Sequence, residues 1–62
     1  MEKLLTINEA SQLLGLAKKT LYQYVCRRII PFVKIQGNLR FRESNLEAWV
    51  EMQLVKPLRG GE

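Results

Sequence analysis

The sequence predicts a small α+β domain, mainly α, whose elements follow the order helix, tight turn, helix, β-hairpin, helix. Two Ser/Thr-x-x-Glu signatures each precede apolar residues at helical spacing, and between them two alternating segments flank a glycine-containing turn. A chain of 62 residues makes one domain with a single small core. We assign the domain to residues 1–55 and expect residues 56–62 to form a flexible C-terminal tail.

The first helix is predicted to run from about Ile7 to Leu14. Thr6 and Glu9 have the spacing of a capping box, in which the Thr hydroxyl accepts a hydrogen bond from the Glu amide and the Glu carboxylate reaches back. Gly15 stands where a helix commonly ends in a left-handed residue. The two residues that follow leave room only for a tight turn.

A second helix is predicted from Lys18 to about residue 28 or 29, because Pro31 disfavours helix at the residue before it. Its inner stripe is apolar, whereas its outer face is basic and rich in hydrogen-bonding groups, with no acid. That outer face carries Lys19, Gln23, Cys26 and Arg27, with Thr20 at its edge.

Alternating segments on either side of Gly37 predict a β-hairpin. If their apolar residues share the inner face, Ile35 must lie opposite Leu39. The same register sets Lys34 opposite Arg40 on the outer face, where like charges repel unless an anion lies against them. Such a register needs a three-residue loop or a bulge, with Gly37 or Asn38 at positive φ, rather than a two-residue turn.

Ser44 and Glu47 form a second capping-box pattern, which predicts a third helix with Ser44 as its N-cap. Trp49 lies on its apolar side, and Pro57 is expected to end whatever helix remains. The opposite side carries a row of carboxylates, called the acidic ridge below, formed by Glu43, Glu47 and Glu51.

The charges are unevenly distributed along the chain. No acid occurs between Ala10 and Arg42, although most of the ten Lys and Arg residues lie there, and all six acids lie outside this window. Folded domains usually mix their charges, so this window predicts a basic surface that binds phosphate. A solvated basic face without a partner is the alternative.

The residue types present argue against catalysis. There is no His and no Asp, and Cys26 is the single cysteine, so metal clusters, Ser-His-Asp triads and Cys-His pairs are missing. We predict that the protein is not an enzyme and needs no cofactor or metal. We see no secretory signal pattern and no apolar run of about 18 residues, so we expect a cytoplasmic protein with no membrane partner.

A set of short motifs occurs in a fixed order along nearly the whole predicted domain. They are T-x-x-E-A and L-G in the first helix, T-L-Y in the second, Pro31 before the hairpin, Gly37 at its tip, R-F in its second strand and E-A-W in the last helix. From residue 5 to residue 50 the sequence thereby resembles the excisionase-like winged helix-turn-helix domains of bacteria and their mobile elements, which are related to the MerR-type DNA-binding fold. The predicted fold is therefore a helix-turn-helix, a two-stranded wing and a C-terminal helix.

The resemblance implies that the second helix enters the major groove of DNA and that the wing reaches an adjacent minor groove or its phosphates. It assigns Lys18, Lys19, Thr20, Gln23 and Arg27 to the recognition helix. It assigns Gly37, Asn38 and Arg40 to the wing.

Three positions depart from the family pattern. Ala17 stands where Ser or Thr is usual, so the second helix lacks a side-chain N-cap unless a DNA phosphate takes that place. Ser11 replaces the second alanine of the first helix. A glycine that commonly follows the second helix is replaced by Ile29 or Ile30.

The residue types on the second helix suit base contacts. Gln23 can bond bidentately to adenine N6 and N7, whereas Lys19 and Arg27 can reach either guanine O6 and N7 or a phosphate. Thr20 can meet a thymine methyl or a phosphate. Tyr22 lies on the flank of the buried stripe, where it can pack while its hydroxyl contacts a phosphate.

In the wing, Arg40 is a candidate for a phosphate or a narrow minor groove, together with Lys34 and Arg42. Four aromatic residues are instead expected to build the core, because so small a domain depends on their apolar area. These are Tyr24, Phe32, Phe41 and Trp49.

We interpret the chain as a nucleoid-associated, excisionase-type architectural protein. Copies of it bind adjacent sites on double-stranded DNA, bend the DNA and direct an integrase or recombinase toward excision. The recombination role follows from the resemblance alone. A small transcription regulator of the same fold is an alternative, and a protein-interaction module that docks through the acidic ridge and residues 54–58 is a second.

Overall fold

The computed structural model describes residues 1–56. Its elements are β1 (Leu4–Leu5), α1 (Ile7–Leu14), α2 (Lys18–Cys26), β2 (Val33–Ile35), β3 (Asn38–Arg42) and α3 (Glu43–Met52). The predicted fold class is confirmed, since a helix-turn-helix is followed by a hairpin and a closing helix. The sheet, however, has three antiparallel strands in the order β1-β3-β2. β1 was not predicted because a strand of two residues is too short to show alternation.

One core joins all the main elements. Among the described residues five side chains are buried, one from each helix, one from β3 and one from the segment after α2: Ala10, Leu21, Ile30, Phe41 and Leu46. Of the aromatic residues expected in the core, Phe41 is fully buried, and the other three are half-buried and pack against it. This core fixes the position of α2 and the wing relative to each other.

The start and end of α1 are as predicted. The Thr6 hydroxyl accepts a hydrogen bond from the Glu9 amide at 3.2 Å, and the Glu9 carboxylate accepts one from the Thr6 amide at 2.9 Å. Gly15 follows the helix at φ 69°, in the left-handed region. The predicted bounds of α1 are therefore confirmed.

The turn between α1 and α2 is closed by Ser11. Its backbone oxygen accepts hydrogen bonds from the amides of Gly15 and Leu16, at 2.9 and 3.2 Å. Its hydroxyl donates to the Leu16 carbonyl oxygen at 2.5 Å. The serine that replaces the family's alanine thus adds a hydrogen bond to the turn that sets α2 against α1.

The exit from α2 differs from the prediction. The helix ends at Cys26, about two residues early, and Arg28 takes the left-handed conformation at φ 59°. The Arg28 amide donates to the Val25 oxygen and the Ile29 amide to the Tyr24 oxygen, both at 3.0 Å, which is a Schellman motif. The position that a glycine would suit is therefore Arg28, and not Ile29 or Ile30.

The predicted hairpin register is wrong. The Cα partners are Val33–Arg40, Lys34–Leu39 and Ile35–Asn38. Ile35 therefore does not lie opposite Leu39, and Lys34 does not lie opposite Arg40. The predicted repulsion between these two cations across the ladder does not arise.

Turn chemistry explains the observed register. The connection is a two-residue turn with Gln36 at φ 51° and Gly37 at φ 84°, and two positive φ angles are typical of the type I′ turn that suits the strand twist. As a result Ile35 is left 45% exposed, while Phe32, just before β2, packs against the core. The alternation of apolar and polar residues predicted the wrong buried face of the hairpin, because it placed Ile35 among the buried residues.

The predicted N-cap of α3 is also wrong. The helix begins at Glu43, directly after β3, with Arg42 as N-cap and no side-chain capping bond. Ser44 lies in the first turn, where its amide and hydroxyl donate to the Glu2 carboxylate at 3.4 and 3.1 Å. Pairing of Leu4 with Arg42 brings the N-terminal segment close enough for this contact.

The third helix ends at Met52. Pro57, which was expected to end it, lies outside the described residues, and so does the predicted tail beyond Lys56. Within residues 1–56, no helix is long and apolar enough to cross a membrane.

Candidate nucleic-acid interface

The outer face of α2 presents the polar row that the sequence predicted. Lys19, Gln23 and Arg27 follow one another at i, i+4 spacing and all three are exposed. At a rise of about 1.5 Å per residue the row is about 12 Å long. Base pairs are spaced about 3.4 Å apart, so the row matches roughly three to four base pairs.

The remaining α2 candidates lie around this row. Lys18 opens the helix and is exposed, Thr20 is half-buried, and Tyr22 is 53% exposed. Leu21, fully buried on the opposite side, anchors the helix to the core. Cys26 is exposed beside the row, as expected.

The N-terminus of α2 has neither a side-chain cap nor an acid in its first turn. Ala17 is extended (φ −65°, ψ 148°) and makes no side-chain capping hydrogen bond, which confirms that the expected cap is missing. The first turn contains no acid but begins with Lys18 and Lys19. Free amides, the helix dipole and two cations therefore give this end a positive potential.

The hairpin forms a wing with an open tip. Nothing lies within 4 Å of a Cβ built on Gly37, and Asn38 donates through Nδ2 to the Ile35 carbonyl oxygen at 3.1 Å. Arg40 is half-buried and its Nη1 donates to the Leu39 carbonyl oxygen at 2.7 Å, which restrains the guanidinium along the strand.

A groove of about 430 Å³ runs between α2 and the wing. It brings together Tyr22 from α2 and four wing candidates, Lys34, Gly37, Asn38 and Arg40. The other α2 candidates do not line it and lie along the helix instead. Two sequence candidates line other hollows. Arg42 lies in one with Leu4 and Ile35, and Arg27 lies in another with Ile29 and Trp49.

Sequence reasoning missed the residues that complete and hold this site. Thr6 and Val25 line the groove between α2 and the wing, although the sequence shows them only as a helix cap and a stripe residue. Trp49 donates through Nε1 to the Ile29 carbonyl oxygen at 2.8 Å and lies with its ring 6.1 Å from that of Tyr24. These contacts tie the end of α2 to α3, and no local sequence pattern signals them.

The basic residues of the site are free to meet an anion. Within residues 1–56 the only ion pair joins Lys3 to Glu9, at 3.1 Å. No Lys or Arg of α2 or the wing is therefore neutralised by a described carboxylate. The same part of the chain contains no group of three or more His, Cys, Asp or Glu side chains that could hold a metal ion.

The family model described as Helix-turn-helix domain matches residues 4–54, which is most of the chain. The chain therefore belongs to the helix-turn-helix domain family, a class of DNA-binding domains that are typically non-enzymatic. No curated protein and no solved structure matches the chain.

Proposed function

We propose that the protein binds double-stranded DNA sequence-specifically, with α2 in the major groove and the wing against the neighbouring backbone or minor groove. The observation that carries this proposal is that the domain has two basic surfaces, one on α2 and one on the wing. Within residues 1–56 no carboxylate forms an ion pair with either surface. The core holds both on one rigid domain. A major-groove width of about 12 Å admits one helix.

On α2, Gln23 is the proposed base-reading residue, because a side-chain amide pairs bidentately with adenine N6 and N7. Lys19 and Arg27, one turn to either side, contact guanine or phosphate. Thr20 contacts a thymine methyl or a phosphate, and Lys18 contacts a phosphate near the uncapped helix start.

In the wing, Lys34, Asn38 and Arg40 contact the backbone, and the open tip at Gly37 lets the hairpin approach it closely. Tyr22 supports the same contact from α2 through its hydroxyl. Arg42 lines a separate hollow with Leu4 and Ile35, and its contact is with a phosphate farther along the backbone.

The excisionase-type role rests on the resemblance and on the size of the domain. A single module buries only about 600–1,000 Å² of protein surface on DNA, so one copy binds modestly. Adjacent copies on tandem sites raise occupancy and bend the DNA, which prepares it for an integrase or recombinase. The same interface also suits a small transcription regulator, which differs only in where it binds.

Selection of genomic fragments by the purified protein at about physiological salt, followed by sequencing, tests this role. We expect tandem sites clustered beside an integrase gene. A single site at a promoter would favour the regulator, and no enrichment would overturn specific DNA binding.

A further inference from the structure

An apolar groove lies between α1 and α3, and no residue of α2 or the wing lines it. Both helices pack on β3 and hardly contact each other, so a cleft remains between them. Its apolar lining consists of Leu13 and Leu14 from α1 and Leu46 and Val50 from α3. Leu13 is 49% exposed and Val50 42%, and contiguous exposed apolar residues mark interaction sites.

The size of this α1–α3 groove indicates what it can hold. Its volume is about 230 Å³, whereas pockets for small molecules commonly have about 300–1,000 Å³. The groove is better matched to a few side chains of a docked helix, which inserts residues at i, i+3 and i+4 between the groove's edges.

The charge of the groove indicates the kind of helix. Glu47 and Glu51 line it beside the apolar residues, and no Lys or Arg of residues 1–56 does. Within residues 1–56 neither carboxylate forms an ion pair. A second copy of this chain would offer the same two carboxylates from its own groove, so the groove does not complement itself.

We propose that the α1–α3 groove docks a basic amphipathic helix of a partner protein. Large apolar side chains of that helix enter between Leu13 and Val50, and its Lys or Arg residues pair with Glu47 and Glu51. The groove shares no residue with α2 or the wing. The proposal does not depend on DNA binding.

The test uses the full chain, labelled with ¹⁵N, and a synthetic helical peptide with Leu at i, i+3, i+4 and i+7 flanked by Lys. The comparison peptide has Glu in place of every Lys. We expect the Lys peptide to shift the amides of residues 13, 14 and 46–51, and the Glu peptide to shift none of them. Peptide and DNA affinities are measured separately. Loss of DNA binding would therefore count against the proposed function alone, and loss of peptide binding against the groove alone.

Three variants test whether the residues that line the groove bind the peptide. Glu47→Gln/Glu51→Gln should weaken the Lys peptide about tenfold, because two charge pairs are lost. Glu43→Gln, on the same helix but outside the groove, is the matched control and should leave affinity within about twofold. Leu13→Ser should also abolish peptide binding, and amide signals outside the groove that keep their wild-type chemical shifts show that each variant is folded.

Shifts scattered away from the groove, equal weakening by Glu43→Gln, or equal binding of the Glu peptide would overturn the proposal. It would also be overturned if the protein alone were a dimer that Leu13→Ser converts to a monomer, since the occupant would then be a second copy.

Discussion

The Ile29 amide donates a 3.0 Å hydrogen bond to the Tyr24 carbonyl oxygen across Arg28, which is held at φ 59°. This bond closes α2 and turns the chain toward Ile30 in the core. The recognition helix therefore ends in a left-handed residue that carries a full side chain. The Trp49–Ile29 hydrogen bond holds the same segment from the side of α3.

Arg28→Gly should stabilise the domain. A non-glycine residue in the left-handed region costs roughly 1–2 kcal/mol, part of which the greater freedom of glycine in the unfolded chain offsets, so we expect a gain of about 0.5–1 kcal/mol. For so small a domain this raises the Tm by several degrees, measurable by thermal denaturation. Arg27→Gly removes the same charge at φ −87° and serves as control; a gain of equal size there would contradict the explanation.

Stability should depend on Glu9 in acid. Hydrogen bonds from the Thr6 amide and from Lys3 lower the pKa of this carboxyl below its usual value. Its contribution is present above the unfolded pKa and is lost as the pH falls through the folded pKa. Glu9→Gln keeps an acceptor in the capping box but does not titrate, so its stability should fall less on acidification than that of the wild type.

Chemical denaturation at a series of acid pH values measures this difference. Glu51→Gln, on the exposed surface of α3, removes one carboxylate outside the capping box and is the matched control. If Glu9→Gln and the wild type lost stability in parallel, the capping box would not be the source of the effect.

Gln23→Ala should relax base preference at one position of the target site. Loss of a bidentate contact removes about 1–3 kcal/mol of discrimination at that position. Affinity for non-specific DNA should stay nearly constant, because no charge is removed. Selection from a randomised DNA library compares the two proteins, and an unchanged preference at every position would remove Gln23 from the proposed reading role.

Arg40→Ala should weaken all DNA sequences alike. If about five basic residues meet phosphates, the log–log salt slope is roughly −4 to −5, and removal of one contact lowers its magnitude by about 0.9. Binding titrations at several salt concentrations measure the slope. Equal losses from Arg40→Ala and Gln23→Ala on every sequence would contradict the division into backbone and base contacts.

Local signals in the sequence predicted the order of elements, the bounds of α1 and the exposed row on α2. The capping box at Thr6 and the left-handed Gly15 are short-range features, and the structure has both. The absence of a side-chain cap at Ala17 was also predictable from the sequence, since it depends on one residue type. Such features need no knowledge of distant contacts.

The errors arose where distant contacts or competing local preferences decide the structure. Ser44 has the spacing of an N-cap, but β3 continues directly into α3 and Glu2 supplies the acceptor from the far end of the chain. The hairpin register followed the preference of its two-residue turn rather than burial of Ile35. The grooves were not predictable either, because each is formed by elements far apart in sequence.

Binding of the selected DNA site by the triple variant Lys19→Ala/Gln23→Ala/Arg27→Ala tests the central claim most directly. Glu43→Gln/Glu47→Gln/Glu51→Gln is the control with the same number of changes on the acidic ridge. We expect the triple α2 variant to lose specific binding while it stays folded, and the ridge variant to bind the site at least as well as the wild type. Undiminished specific binding by the α2 variant would contradict the assignment of α2 as the DNA-reading helix.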